Sequence, residues 1–129
     1  MKEVPADLQE ELTIATTPEM GTTHLGPGRS FYSTPSLVGH IEALCLRMLS
    51  RFLDEGENSV GYRVEVKHLA PTPIGQRVTI RGRLVEADGR RFVFAVEAYN
   101  EGGVKIAEGL HERRVIDVSR FVERAASPR

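Results

Sequence analysis

The segment TPSLVGHIEALCLRMLSRFLD, residues 34–54, limits the fold more than any other part of this 129-residue chain. At about 100° per residue, Leu37, Ile41, Leu44, Cys45, Met48 and Phe52 share one helical face. Leu46, Leu49 and Leu53 widen that face, while His40, Arg47, Ser50, Arg51 and Asp54 fall opposite. Thr34 suits the N-cap and Pro35 the first helical position. EGEN stops the pattern near Asp54. A helix that is apolar over most of its circumference needs a broad partner to bury against.

The flanking sequence supplies strands. Leu12 to Ala15 forms a short one, and TTPEMGTTHLGPGRSFY, residues 16–32, reads as a long loop. After the helix the period becomes two: Tyr62, Val64, Val66 and His68 alternate with Arg63, Glu65 and Lys67. PTPIG ends that strand. A second alternates from Val78 to Leu84, and Asp88-Gly89 marks a hairpin turn. Phe92, Phe94, Val96 and Ala98 form one face of the next strand. NEGG turns the chain, and a last strand runs from about Val104 to Val118. These four strands read as an antiparallel meander. The fold class is therefore α+β: a hot-dog fold, with a five-stranded antiparallel sheet wrapped around one long central helix.

Residues 1–129 read as a single domain, with residues 1–8 polar and expected to be flexible and residues 119–129 a tail. The formal net charge of -1 argues against a nucleic-acid partner or an anionic membrane surface. No apolar run approaches the roughly 20 residues of a membrane span. The N-terminus carries no hydrophobic signal, and the single cysteine, Cys45, excludes an intrachain disulfide. A cytoplasmic protein is expected.

Four polar residues stand where the pattern calls for apolar ones. Glu42 projects between Leu49 and Leu53, where an ionised carboxylate is costly without partners. It reads either as a structural acid paired to an arginine or as a catalytic carboxylate. His68 points inward at a strand end, as a satisfied core histidine or as a base. Thr34 is a plain N-cap, or a hydroxyl at a helix start suited to a developing oxyanion. On the last strand Ala107, Gly109, His111, Arg113 and Val115 share a face, so Arg113 can reach Glu42 if that face meets the helix. The alternative is a solvated charged edge. There is no phosphate-binding glycine loop, no G-x-S-x-G elbow, and no metal-ligand spacing among His24, His40, His68 and His111.

The segments HLGP, TPSLVGHIEALCLRML, VGYRVEVKHLAPTPIG, GRRFVFAVEAYNEGG and GLHERRVI resemble the fluoroacetyl-CoA thioesterase family of hot-dog proteins. The family's Thr lies eight positions before a helix Glu, which fits Thr34 and Glu42. Its strand-end His fits His68 in KHLAPTPIG, a Gly seven positions earlier fits Gly61, and its H-E-R segment fits His111, Glu112 and Arg113. The resemblance implies hydrolysis of a small acyl-CoA thioester by Thr34, Glu42 and His68. Thr34 would orient Glu42, Arg113 would hold its charge, and backbone donors near Gly61 or the helix start would stabilise the oxyanion.

The family's Phe-containing lid precedes the catalytic Thr. Here only GRSFYS, Gly28 to Ser33, fills that stretch, with Phe31 or Tyr32 taking some of the lid's space. A more open pocket, and a broader or different short acyl group, is expected. The resemblance implies no metal or organic cofactor, since coenzyme A enters with the substrate. It also implies self-association as a homodimer, or a dimer of dimers. A non-catalytic acyl-CoA-binding hot-dog domain and another hot-dog enzyme, such as an enoyl-CoA hydratase, are the alternatives.

Overall fold

The computed structural model describes residues 1–127. Five strands, β1 (Gln9–Ala15), β2 (Glu57–His68), β3 (Arg77–Asp88), β4 (Arg91–Asn100) and β5 (Lys105–Asp117), form one antiparallel sheet in the order β1-β3-β4-β5-β2. Helix α1 (Thr34–Ser50) lies on one face of it, and α2 (Val118–Ala126) follows β5 directly. The tail is thus helical from Val118 to Ala126, and residues 128–129 lie outside the described residues.

The apolar face of α1 is buried as its period requires. Leu37, Leu44, Cys45, Met48 and Leu49 have no exposed surface and Ile41 almost none. Each such side chain contributes about 1.5–3 kcal/mol of gross burial. They meet Val78, Ile80, Phe92, Phe94, Val96 and Ala98, the inward residues of β3 and β4. Gly82 lets the helix come close, since a Cβ there would lie 3.1 Å from the Met48 sulfur. Leu46, expected to widen the apolar face, is instead exposed together with Arg47 and Ser50, so the sheet covers one face of α1 rather than enclosing it.

Four other expectations change in detail. The helix cap is Ser33, whose hydroxyl accepts from the Ser36 amide at 3.2 Å. Thr34 is the first helical residue, and its own hydroxyl is engaged elsewhere. The helix stops at Ser50, four residues early, because the chain turns at Arg51 and Phe52. Only β3, β4 and β5 form a meander. Strand β2 pairs with the far side of β5, so β1 and β2 are the two edges. Residues 1–8, expected to be flexible, form no strand, yet the Lys2 amide donates to the Phe52 carbonyl and Leu8 is buried.

The long loop before α1 is tied at both ends. It holds a single helical turn at Pro18–Met20 and a bridge between Gly21 and Tyr32. Tyr32 donates its amide to Thr72, and Phe31 bridges to Pro73. The loop is therefore bound to the β2–β3 connection, and this fixes where α1 begins.

Candidate active site

The site depends on an irregularity in β2. Gly61 pairs with Arg113, but Arg63 pairs with Glu112, leaving Tyr62 as an extra residue. Such a bulge shifts the alternation of every residue beyond it. Ser59 and Gly61 face α1 before the bulge, and Val64, Val66 and His68 face it afterwards. Without the bulge Gly61 and His68, seven residues apart, would lie on opposite faces. Tyr62, expected inside, is 64% exposed, and the Arg114 guanidinium lies 4.0 Å from its ring centroid.

At the start of α1, Thr34 Oγ1 lies 2.8 Å from His68 Nδ1. The other ring nitrogen, Nε2, is buried without a partner among the described residues. Burial lowers the pKa of this imidazole from its ordinary 6.5. The ring is therefore neutral at pH 7 and able to take a proton.

Two turns along α1, Glu42 faces Gly61 and Arg113. Its Oε2 stands 3.8 Å from Arg113 Nη1, and a Cβ on Gly61 would come within 2.5 Å of that oxygen. Arg113 is almost wholly buried, and burial pulls its pKa down while Cys45 and Glu42 push it up. It stays charged because a guanidinium does not lose its proton in proteins. Its Nε donates to Ser59 Oγ and one Nη to the Ser59 carbonyl, both at 2.9 Å. The Glu42 side chain is 43% exposed, so it lies at the edge of the apolar face rather than within it, and the burial expected of it is not met.

No hydrogen bond joins Glu42 to Thr34 or His68 among the described residues, and the eight positions from Thr34 to Glu42 span about 12 Å along the axis. The hydroxyl of Thr34 serves His68 rather than Glu42, which corrects the expected role. Tyr32 does not line a pocket. It is buried, stacks on His40, and its hydroxyl lies 2.6 Å from His40 Nδ1. Phe31 is half-buried. Glu112 points to the opposite sheet face, with Arg114 at 2.7 Å, Arg91 at 3.2 Å and Arg63 at 3.7 Å.

One residue of this arrangement, Ser59, carries no signal in the sequence reading, whereas His111 shares the two-residue period of Arg113 and falls in the H-E-R segment. Ser59 was hidden by the bulge. Cys45 is buried and its thiol is pushed up to about 12 by burial, which keeps it unreactive. Among the described residues, no three His, Cys, Asp or Glu gather to hold a metal ion. None of their helices is long and apolar enough to cross a membrane.

The chemistry present is a carboxylate beside a buried cation, an open backbone at Gly61, and a neutral imidazole bonded to a hydroxyl. Carboxylate and imidazole together are suited to acyl transfer to water.

The sequence model of a family described as fluoroacetyl-CoA-specific thioesterase matches residues 13–119. A fluoroacetyl-CoA thioesterase of Streptantibioticus cattleyicolor is 38% identical over 90 residues, which are 70% of this chain and 64% of that protein. The match thus spans less than two thirds of the relative. The crystal structure of a Thermus thermophilus hypothetical protein, a thioesterase superfamily member, superposes with a TM-score of 0.87 at 33% identity, covering 95% of this chain and 91% of the other. A structure of the fluoroacetyl-CoA thioesterase gives 0.89 at 28% identity, covering 98% and 100%.

Proposed function

The chain belongs to the fluoroacetyl-CoA-specific thioesterase family, and from that premise we propose that it hydrolyses a small acyl-CoA thioester to free acid and coenzyme A. The observation that carries this reading is Glu42 held against Arg113 and open toward Gly61. Glu42 either attacks the thioester carbonyl or activates the water that does. In the first case the C–S bond breaks to give a mixed anhydride, the CoA sulfur takes a proton, and water then cleaves the anhydride.

His68 moves those protons, since its neutral Nδ1–Thr34 pair leaves Nε2 free to act. Thr34 fixes the ring's orientation. Arg113 aims the carboxylate, and the backbone around Gly61 or the helix start offers donors to the oxyanion. Phe31 borders the approach to the acyl group. The reaction calls for no metal or organic cofactor.

A second copy is the partner that the fold calls for. β2 is a twelve-residue edge strand with one side unpaired within the chain, and such edges invite pairing. Two β2 strands meeting antiparallel would run His68 of one copy toward Gly61 of the other. The two halves of the site would then converge at the dimer interface. A near-neutral charge and the lone buried thiol suit a cytoplasmic enzyme with no nucleic-acid or membrane partner.

Thiol release measured across acyl-CoA chain lengths tests the proposal. Hydrolysis of short acyl-CoAs by the wild type, lost by at least about 100-fold in both Glu42→Gln and His68→Ala, is expected. Binding of CoA esters without thiol release, or hydration of an enoyl-CoA instead, would overturn it.

A further inference from the structure

His111 has no exposed surface, yet both its ring nitrogens are engaged. Nδ1 lies 2.9 Å from the Arg63 carbonyl oxygen, and Nε2 lies 3.2 Å from Nη1 of Arg113. A carbonyl only accepts and a guanidinium only donates. Both bonds coexist in one state alone: Nδ1 carries the proton, Nε2 offers its lone pair, and the ring is neutral.

The surroundings favour that state. Burial is the largest influence and lowers the ring's pKa. The Arg63 carbonyl and Glu42 oppose it, and Arg113 adds to the lowering. The charged groups acting on the ring are thus Glu42 of α1 and Arg113 of β5. The Arg63 backbone faces it from β2, and its β4 partner is the apolar Phe94.

The bonds also connect two parts of the site. The Arg63 carbonyl belongs to the bulge that turns Gly61 toward Glu42. Arg113 is gripped on its far side by Ser59, through Nε and the second Nη. Its remaining nitrogen, Nη1, has two protons. One is directed at His111, which leaves the other for Glu42 Oε2 at 3.8 Å.

We propose that His111 is a positioning residue: its Nδ1-protonated imidazole clamps the β2 bulge to the Arg113 guanidinium and so aims that cation at Glu42. The catalytic consequence rests on the thioesterase reading above. The clamp itself does not. A histidine that only filled space would be replaceable by an apolar side chain of similar volume, whereas a clamp needs one donor and one acceptor. A glutamine amide supplies both.

The test uses His111→Leu, His111→Gln, Arg113→Gln and the double variant His111→Leu/Arg113→Gln in the full chain. His111→Leu is expected to lower kcat on the order of 100-fold, with KM changed by no more than about 2-fold. His111→Gln should recover most of that loss. In the Arg113→Gln background His111→Leu should cost nothing further, since both act through one contact. Wild-type kcat in His111→Leu, or losses that multiply in the double variant, would overturn the clamp.

Nitrogen NMR of the histidines supplies an arm independent of activity. A neutral, Nδ1-protonated His111, with Arg113 guanidinium protons protected from exchange in the wild type and in His111→Gln, is expected. An Nε2-protonated or charged ring at neutral pH would overturn the proposal even where the Leu variant fails to fold. A wild type that releases no thiol from any acyl-CoA would remove the functional reading, and the NMR result would still decide the clamp.

Discussion

Thr34 Oγ1 lies 2.8 Å from Nδ1 of His68, joining the first residue of α1 to the last residue of β2. The contact holds one end of an edge strand to the helix and leaves the opposite ring nitrogen buried and unpartnered. A hydroxyl at this position limits rotation of the ring, donating to Nδ1 or accepting from it according to the tautomer.

Thr34→Val removes the hydroxyl and keeps the shape. Ser33 caps the helix, so the substitution leaves the cap untouched. Loss of kcat by about 10- to 100-fold is expected, with a thermal midpoint little changed. Thr34→Ser should retain most activity. A Thr34→Val enzyme with wild-type kcat would show that the hydroxyl does not serve the chemistry.

Gly61→Ala should separate activity from stability. The added methyl would lie 2.5 Å from Glu42 Oε2, the end of a flexible side chain, and 3.5 Å or more from His111 and Arg113. Glu42 can swing away at little cost, and it thereby leaves Arg113. Turnover should fall at least about 100-fold, while stability changes by less than about 1 kcal/mol. Gly109→Ala is the contrast. Its methyl would meet the Glu65 carbonyl at 2.0 Å and the Val66 Cα at 2.8 Å, both backbone. Destabilisation of about 3 kcal/mol or more is expected there. Equal stability loss in the two variants would contradict the argument.

The difference between these glycines also shows what a sequence can and cannot carry. The apolar face of α1 was legible because helical period is local, and its buried residues are those the period selects. The cap was misplaced by one residue because Ser33 and Thr34 are both good caps. Only the bond from Thr34 to a distant histidine decides between them. Glu42, His68 and Arg113 stood out as polar groups in apolar patterns. The bulge did not, because one extra residue has no signature in a strand whose edge is unpaired. Tyr62 was therefore placed inside and Ser59 overlooked, while His68, beyond the shift, was placed on its true face. That β2 joins β5 rather than β3 follows from long-range pairing, on which alternation is silent.

Stability should decline on mild acidification. Burial holds the pKa values of His40, His68 and His111 below 6.5 in the folded protein. In the unfolded chain they return to about that ordinary value. Below pH 6.5 the unfolded state therefore binds protons that the folded state refuses, and stability is lost as pH falls toward the folded-state values. Each group steepens this slope by at most about 1.4 kcal/mol per pH unit. A second loss follows below pH 4.5 from Glu57, Glu108 and Glu112. The Asp54 amide and the Lys105 ammonium are the largest influences on the first two. For Glu112, burial raises the pKa, but Arg114 and Arg91 outweigh it. Urea midpoints measured from pH 7.5 to 4 should show both phases, and His111→Gln should flatten the first. A constant midpoint between pH 7 and 5 would refute the assignment.

Substrate choice gives the last prediction. Of the two aromatics before α1, Tyr32 is committed to the core through His40, and half-buried Phe31 is the one proposed to border the acyl group. Its backbone is held by Thr22 and Pro73, so the ring is carried on an anchored segment rather than on a free flap. One ring on such a segment discriminates by size and shape, and a hydrogen-to-fluorine exchange alters both only slightly. Shape selection of this kind yields factors of about 10 to 200. The ratio of kcat/KM for fluoroacetyl-CoA over acetyl-CoA should therefore stay below about 100, and Phe31→Ala should raise kcat/KM for longer acyl chains relative to acetyl. A fluoroacetyl preference beyond about a thousandfold would mean that some other group reads the fluorine, and would sink this account of the pocket.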